Sequence, residues 1–162
     1  MQSYDRDLST CAYFFFDFAD REKQTYENLL RSLLVQLTAR NSQNSQRAMA
    51  ILYGWGDNSQ QPGIRELLKT AQAVVKNSSS IYFIIDALDE ARDKIRLLET
   101  LTEIHNWKFP NMHALVTSRQ EKEFGETFHT LAITELRISN AAVDEDRKFV
   151  LQTLAQDPKF KR

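Results

Sequence analysis

Glycine is scarce in this chain, and its four copies, Gly54, Gly56, Gly63 and Gly125, are poorly placed to hold phosphate. A phosphate-cradling loop needs G-x-x-x-x-G-K-[ST], because its backbone N–H groups wrap the phosphates and its lysine reaches the β and γ groups. No glycine here has another five residues later, and none is followed by Lys-Ser or Lys-Thr. Lys69-Thr70 does occur, but behind Leu67-Leu68 in a helix-like stretch. Gly54-Trp55-Gly56 has Ser59 where a dinucleotide fingerprint needs its third glycine, so it reads as a turn. A single cysteine, Cys11, excludes an internal disulfide and fits a reducing compartment. Lying just before a strand-like run, it is expected to be a buried structural thiol. No segment approaches the ~18 consecutive apolar residues of a membrane helix. Ala12-Tyr13-Phe14-Phe15-Phe16 stops at Asp17, and residues 1–7 are polar, without a signal-peptide core. Charge of one sign is also missing. With 21 basic and 22 acidic residues the formal net charge is −1, so no global field favours nucleic acid or an anionic membrane. These absences predict a cytoplasmic protein with neither nucleic acid nor membrane as its partner.

The chain has 162 residues, 42% hydrophobic and 27% charged, which suits one globular domain with a real core. Residues 11–18 are dominated by aromatics and read as a strand that exits at Asp17 and Asp20. Leu29, Leu30, Leu33, Leu34 and Leu37 form one stripe of a helix from Tyr26. Residues 41–46 read as a loop and residues 49–53 as a short helix. Ile64, Leu67, Leu68, Ala71, Val74 and Val75 mark a second amphipathic helix, broken at Ser78-Ser79-Ser80. A second strand covers residues 81–86. A third helix carries Ile95, Leu98, Leu101 and Ile104, and a third strand covers residues 113–119. A fourth strand is predicted over residues 131–138 and a last helix over 142–154. Strands alternating with amphipathic helices predict an α/β fold, a three-layer sandwich around a parallel sheet with right-handed crossovers.

The second strand carries the chemistry. Ile81-Tyr82-Phe83-Ile84-Ile85 runs straight into Asp86, followed by Asp89 and Glu90. A short apolar run suits a strand buried on both faces, and its C-terminal end is where open α/β sheets bind ligands. A hard cation such as Mg²⁺ takes oxygen ligands and keeps several waters, so one carboxylate, Asp86, suffices to hold it. Glu90 or Asp89 could then orient an attacking water. The bland alternative is that Asp89 and Glu90 serve only the start of the following helix. The third strand ends in Thr117-Ser118-Arg119 on the same sheet edge. Two hydroxyls and a guanidinium there suit a terminal phosphate, although a polar strand end is also ordinary. His105, His113 and His129 share no metal-ligand spacing.

These residues resemble a known family. Residues 81–90, with Asp86, the small Ala87 and the acidic pair Asp89-Glu90, are similar to the Walker B segment of NACHT-type STAND P-loop NTPases. Leu115-Val116-Thr117-Ser118-Arg119 resembles their sensor 1 strand. The Phe-rich run Ala12–Phe18 with Lys23-Gln24, then the leucine helix, resembles the strand and helix after the P-loop in the nephrocystin-3-like N-terminal type. The resemblance covers about residues 8–150. It implies Mg²⁺ and ATP or GTP as cofactors. Asp86 would hold the metal, Asp89 and Glu90 would position water, Arg119 would read the γ-phosphate side, and Thr117 and Ser118 would line the nucleotide.

The resemblance also implies what is missing. Family members carry the P-loop strand upstream, between the sensor 1 strand and the last strand. The chain is therefore expected to be an internal fragment, with residues 1–10 a polar lead-in, 11–138 a partial NACHT domain and 139–162 the start of a helical region. Its function would be that of a partial NTPase module of a signalling, innate-immunity-type switch, unable to hydrolyse nucleotide alone. The alternative is a non-enzymatic interaction module that pairs, through an open sheet edge, with itself or with related NACHT proteins. A flavodoxin-like reading with Asp86 as phosphoacceptor would need a lysine at a later strand end, and Thr117-Ser118-Arg119 offers none.

Overall fold

The structure, a computed structural model, describes residues 9–39, 42–53 and 61–136. The chain divides into two compact units, residues 1–131 and 132–162. All the elements below lie in the first. Of the second, only residues 132–136 are described, and they form no helix or strand.

The first unit is a mixed α/β fold: a three-stranded parallel sheet flanked by helices, consistent with an α/β sandwich. Strand β1 (Thr10–Phe15) leads through a short 3-10 turn to α1 (Tyr26–Ala39), α2 (Ser42–Tyr53) and α3 (Ile64–Lys76). Strand β2 (Ile81–Asp86) is followed by a 3-10 turn (Leu88–Glu90) and α4 (Lys94–His105). Strand β3 (Met112–Val116) is followed by α5 (Lys122–Thr130). The spatial order is β1-β2-β3, with Thr10 beside Ile81 and Ile81 beside Met112.

Alternation along the strands sorts their side chains into two faces. Ala12, Phe14, Phe16, Ile81, Phe83 and Ile85 are buried in one cluster with Leu29, Leu33 and Leu37 of α1, Val74 and Val75 of α3, and Leu97 and Leu98 of α4. The helices therefore cover this face. The opposite face presents exposed Cys11, Tyr13, Phe15, Tyr82 and Leu115. The expectation of a buried Cys11 is thus overturned: strand alternation turns it away from the helices, and its side chain is exposed.

The polar stretch 41–46 is not a loop, since α2 begins at Ser42. Its polar side chains are engaged: Ser45 donates to the Thr38 carbonyl (2.7 Å) and Asn44 donates to Ser78 Oγ (3.1 Å). Tertiary partners thus overrode composition. The predicted fourth strand is also overturned for its described part. Leu131 caps α5, Ala132 takes a left-handed φ of 53°, and residues 133–136 are not extended into a ladder. Residues 137–138 and the predicted helix 142–154 lie outside the described residues, as does the turn 54–59. Helix α5 was unforeseen. Phe124 and Phe128, one helical turn apart with ring centroids 6.0 Å apart, anchor it to the core.

The two sheet edges differ. The strand bonds Thr10 N–H to Ser80 and Phe16 N–H to Asp86 turn the even-numbered residues of β1 toward β2, so Tyr13 faces outward. Gln36 of α1 engages the middle of this edge: its amide donates to the Tyr13 carbonyl (2.7 Å) and accepts from the Tyr13 N–H (3.0 Å). One side chain thus reproduces both bonds of a neighbouring strand. On the opposite side of the sheet no such side chain reaches β3 among the described residues. No described helix is long and apolar enough to cross a membrane.

Leu29 is fully buried in the cluster and Val35, on the same helix, is 65% exposed. Leu29→Ala should cost about 2–5 kcal/mol in urea unfolding, and Val35→Ala less than about 0.5 kcal/mol. Similar losses for both would contradict this placement of α1.

Candidate functional site

Parallel pairing brings the C-terminal ends of all three strands to one edge. Ile85 lies beside Val116, which sets Asp86 next to Thr117. The Thr117 hydroxyl donates to Asp86 Oδ1 and accepts from the Ala87 N–H at 3.0 Å. Its only proton is therefore committed to the carboxylate. Ala87 is left-handed (φ 55°, ψ 50°), a conformation that costs a non-glycine residue about 1–2 kcal/mol. That turn reverses the chain after β2, so that Leu88 enters the core and donates its N–H to the Thr117 carbonyl at 3.0 Å. With the Thr117 N–H donating to the Ile85 carbonyl at 3.0 Å, the two strand ends are tied by four hydrogen bonds around one threonine.

Asp89 and Glu90 follow in the 3-10 turn. The Asp89 carboxylate, only 6% exposed, accepts the Arg119 N–H at 2.9 Å and lies 3.4 Å from Arg119 Nε. The Arg119 side chain is 80% exposed, so its ion pairs are screened and add little. The backbone bond does the anchoring. Glu90 Oε2 accepts the Phe18 N–H at 3.1 Å, and its Oε1 lies 4.0 Å from Arg119 Nη2. Asp86, Thr117, Asp89, Glu90 and Arg119 therefore come together as one network. Ser118 is adjacent, but its hydroxyl donates to the Arg119 carbonyl at 2.8 Å.

Sequence reasoning missed the third side of this network. The loop after β1 is bound to the acidic turn through Phe18 and through the Arg92 N–H, which donates to the Gln24 carbonyl at 2.9 Å. The Gln24 side chain in turn donates to the Phe18 carbonyl. The visible signal was Asp17 and Asp20 at the strand exit, whose carboxylates accept the N–H groups of Ala19 and Glu22 and shape the loop. Lys94 and Glu121, paired at 2.7 Å, join the starts of α4 and α5 beside the same edge.

A family model described as nephrocystin 3, N-terminal, matches residues 1–119. The chain belongs to this family. The matched span holds β1 through β3 and reaches Arg119, so the strand-end network lies within it. No curated protein matches the chain. Among the described residues no group of three or more His, Cys, Asp or Glu is placed to hold a metal. The donor set still suits a hard cation held mainly by water, because Thr117 engages only one oxygen of Asp86 and that carboxylate is half-buried at the sheet edge.

Thr117→Val removes the hydroxyl and keeps the shape. It should cost about 1 kcal/mol in urea unfolding and shift the Ala87 amide resonance. Thr117→Ser should restore both. Equal losses in the two variants would assign the effect to packing.

Proposed function

We propose that this chain carries the Walker B and sensor 1 side of the nucleotide site of a NACHT-type STAND P-loop NTPase, in a signalling switch whose nucleotide state gates assembly. The observation that carries the reading is the direct hydrogen bond between Asp86 at the end of β2 and Thr117 at the end of β3. It presents one carboxylate oxygen to the sheet edge in a fixed orientation. Asp86 is the ligand for Mg²⁺, which when bound neutralises phosphate charge in such sites.

The geometry supports a division of the remaining roles. Asp89 has both oxygens turned to Arg119 and is nearly buried, which supports a role in shaping the turn. Glu90 is more exposed than Asp89 and holds one oxygen away from any short contact, which favours it as the residue that positions water. Arg119 reaches into solvent beside them, where its guanidinium suits the γ-phosphate side of ATP or GTP. Thr117 and Ser118 have their hydroxyl protons committed, so their part toward nucleotide is to line the site.

These 162 residues contain no glycine–lysine phosphate loop. The chain by itself should accordingly bind nucleotide weakly and not hydrolyse it. A second reading, an interaction module without catalysis, is favoured by the edge of β3, which no described residue covers.

Mn²⁺ added to the chain should broaden the amide resonances of Ala87 and Thr117 first, and Asp86→Asn should abolish this. Broadening centred elsewhere would remove the metal role of Asp86. Micromolar ATP binding lost on Asp86→Ala would show that the phosphates are held here without a glycine loop, against the weak binding expected.

A further inference from the structure

The parallel ladder between β1 and β2 stops one step short of Phe18. Thr10 and Phe16 donate their N–H groups to the carbonyls of Ser80 and Asp86, and Phe18, two residues on, turns its N–H to the same side. The acceptor that a continuing ladder would offer is the Leu88 carbonyl. That carbonyl has left the sheet, because the chain reverses at the left-handed Ala87, and it accepts the Ala91 N–H at 3.1 Å. The Glu90 carboxylate takes its place: Oε2 accepts the Phe18 N–H at 3.1 Å. Among the described residues this is the one hydrogen bond that the Glu90 carboxylate makes.

Phe18 is held from its other side as well. The Gln24 side chain donates to the Phe18 carbonyl, and the Arg92 N–H donates to the Gln24 carbonyl at 2.9 Å. Glu90, Phe18, Gln24 and Arg92 thus close a ring that begins and ends on the acidic turn. The rest of the loop is bonded to itself. Asp17 N–H donates to the Lys23 carbonyl at 3.2 Å, and Lys23 N–H donates to the Asp20 carbonyl at 2.8 Å. The Phe18 side chain is 73% exposed, so packing does not fix this backbone and hydrogen bonds do.

We propose that Gln24 is a positioning residue for Glu90. The inference rests on the reading of Glu90 as the residue that positions water. By orienting the Phe18 peptide, Gln24 aims its N–H at Oε2 and occupies that oxygen. Oε1, 4.0 Å from Arg119 Nη2, is then the oxygen offered at the sheet edge. Glutamate has several rotatable bonds, and one fixed oxygen holds the side chain in a single rotamer. The loop after β1 is thereby a working part of the site, although Gln24 itself acts only through Phe18 and Glu90.

Hydrogen exchange of the Phe18 amide reads this clamp in the metal-free chain. Gln24→Met keeps the length of the side chain and removes its donor. It should speed Phe18 exchange at least about tenfold, while the Ala87 amide, bonded to Thr117, keeps its rate. A merely structural glutamine would loosen the loop and leave Glu90 as it was. Positioning is read at Glu90 itself: its two γ-proton resonances, distinct while the carboxylate is held, should converge in Gln24→Met. If Gln24→Met does not fold, Glu90→Ala tests the same bond from the other side and should speed Phe18 exchange by a similar factor. Unchanged Phe18 exchange in either folded variant, or Glu90 γ-proton resonances that stay distinct in Gln24→Met, would overturn the proposal. Neither readout uses metal or nucleotide, so their failure leaves the metal role of Asp86 standing, and failure of Mn²⁺ to bind at Asp86 leaves these readouts unchanged.

Discussion

The register of β2 against β3 is the constraint on which the site depends. Strand side chains alternate with a period of two, so a slip of one residue would exchange the faces of the sheet. Ile81, Phe83 and Ile85 would leave the helices, and Asp86 would turn into the core. Burial of those three side chains against α1, α3 and α4 holds the register, and the register in turn sets Asp86 beside Thr117. The polar network is thus oriented by apolar packing several residues away. Its own hydrogen bonds, most of them made by exposed or half-exposed groups, could not supply that orientation alone.

Much of the frame was legible in the residues. The strand 81–86 and the helices starting near Tyr26, Ile64 and Lys94 follow from periodicity, because their apolar stripes are the faces they bury. The readable features were those in which local pattern and tertiary packing ask for the same thing. Helix α2 failed that condition, since Asn44 and Ser45 find partners only once α1 and the end of α3 are in place. The stretch after Thr130 failed it differently. Its alternation of apolar and polar residues imitates a strand, but a left-handed Ala132 redirects the chain just after α5.

Within the site, sequence located the acidic and hydroxyl groups and spacing could not assign their partners. Asp89 and Glu90 are adjacent and chemically alike, yet one is nearly buried against Arg119 and the other reaches the loop after β1. That divergence comes from the 3-10 geometry of residues 88–90, in which successive side chains leave the axis about a third of a turn apart. It comes also from Ala87, whose left-handed backbone aims the turn. Membership in the nephrocystin 3 N-terminal family covers all of these residues. The NTPase roles proposed for them rest on the geometry of the strand ends.

The amide of Gln36 sets the valence of the sheet. A fold with two sticky edges can add neighbours without limit, as fibrils do, because each addition regenerates the surface it consumed. Here the middle of one edge is engaged from within the chain, by a single side chain that mimics a strand at Tyr13. At Tyr13 an added strand would find both main-chain groups already taken. In polymer terms Gln36 is an end-capper at that position, and it lies on a helix, outside the acidic network.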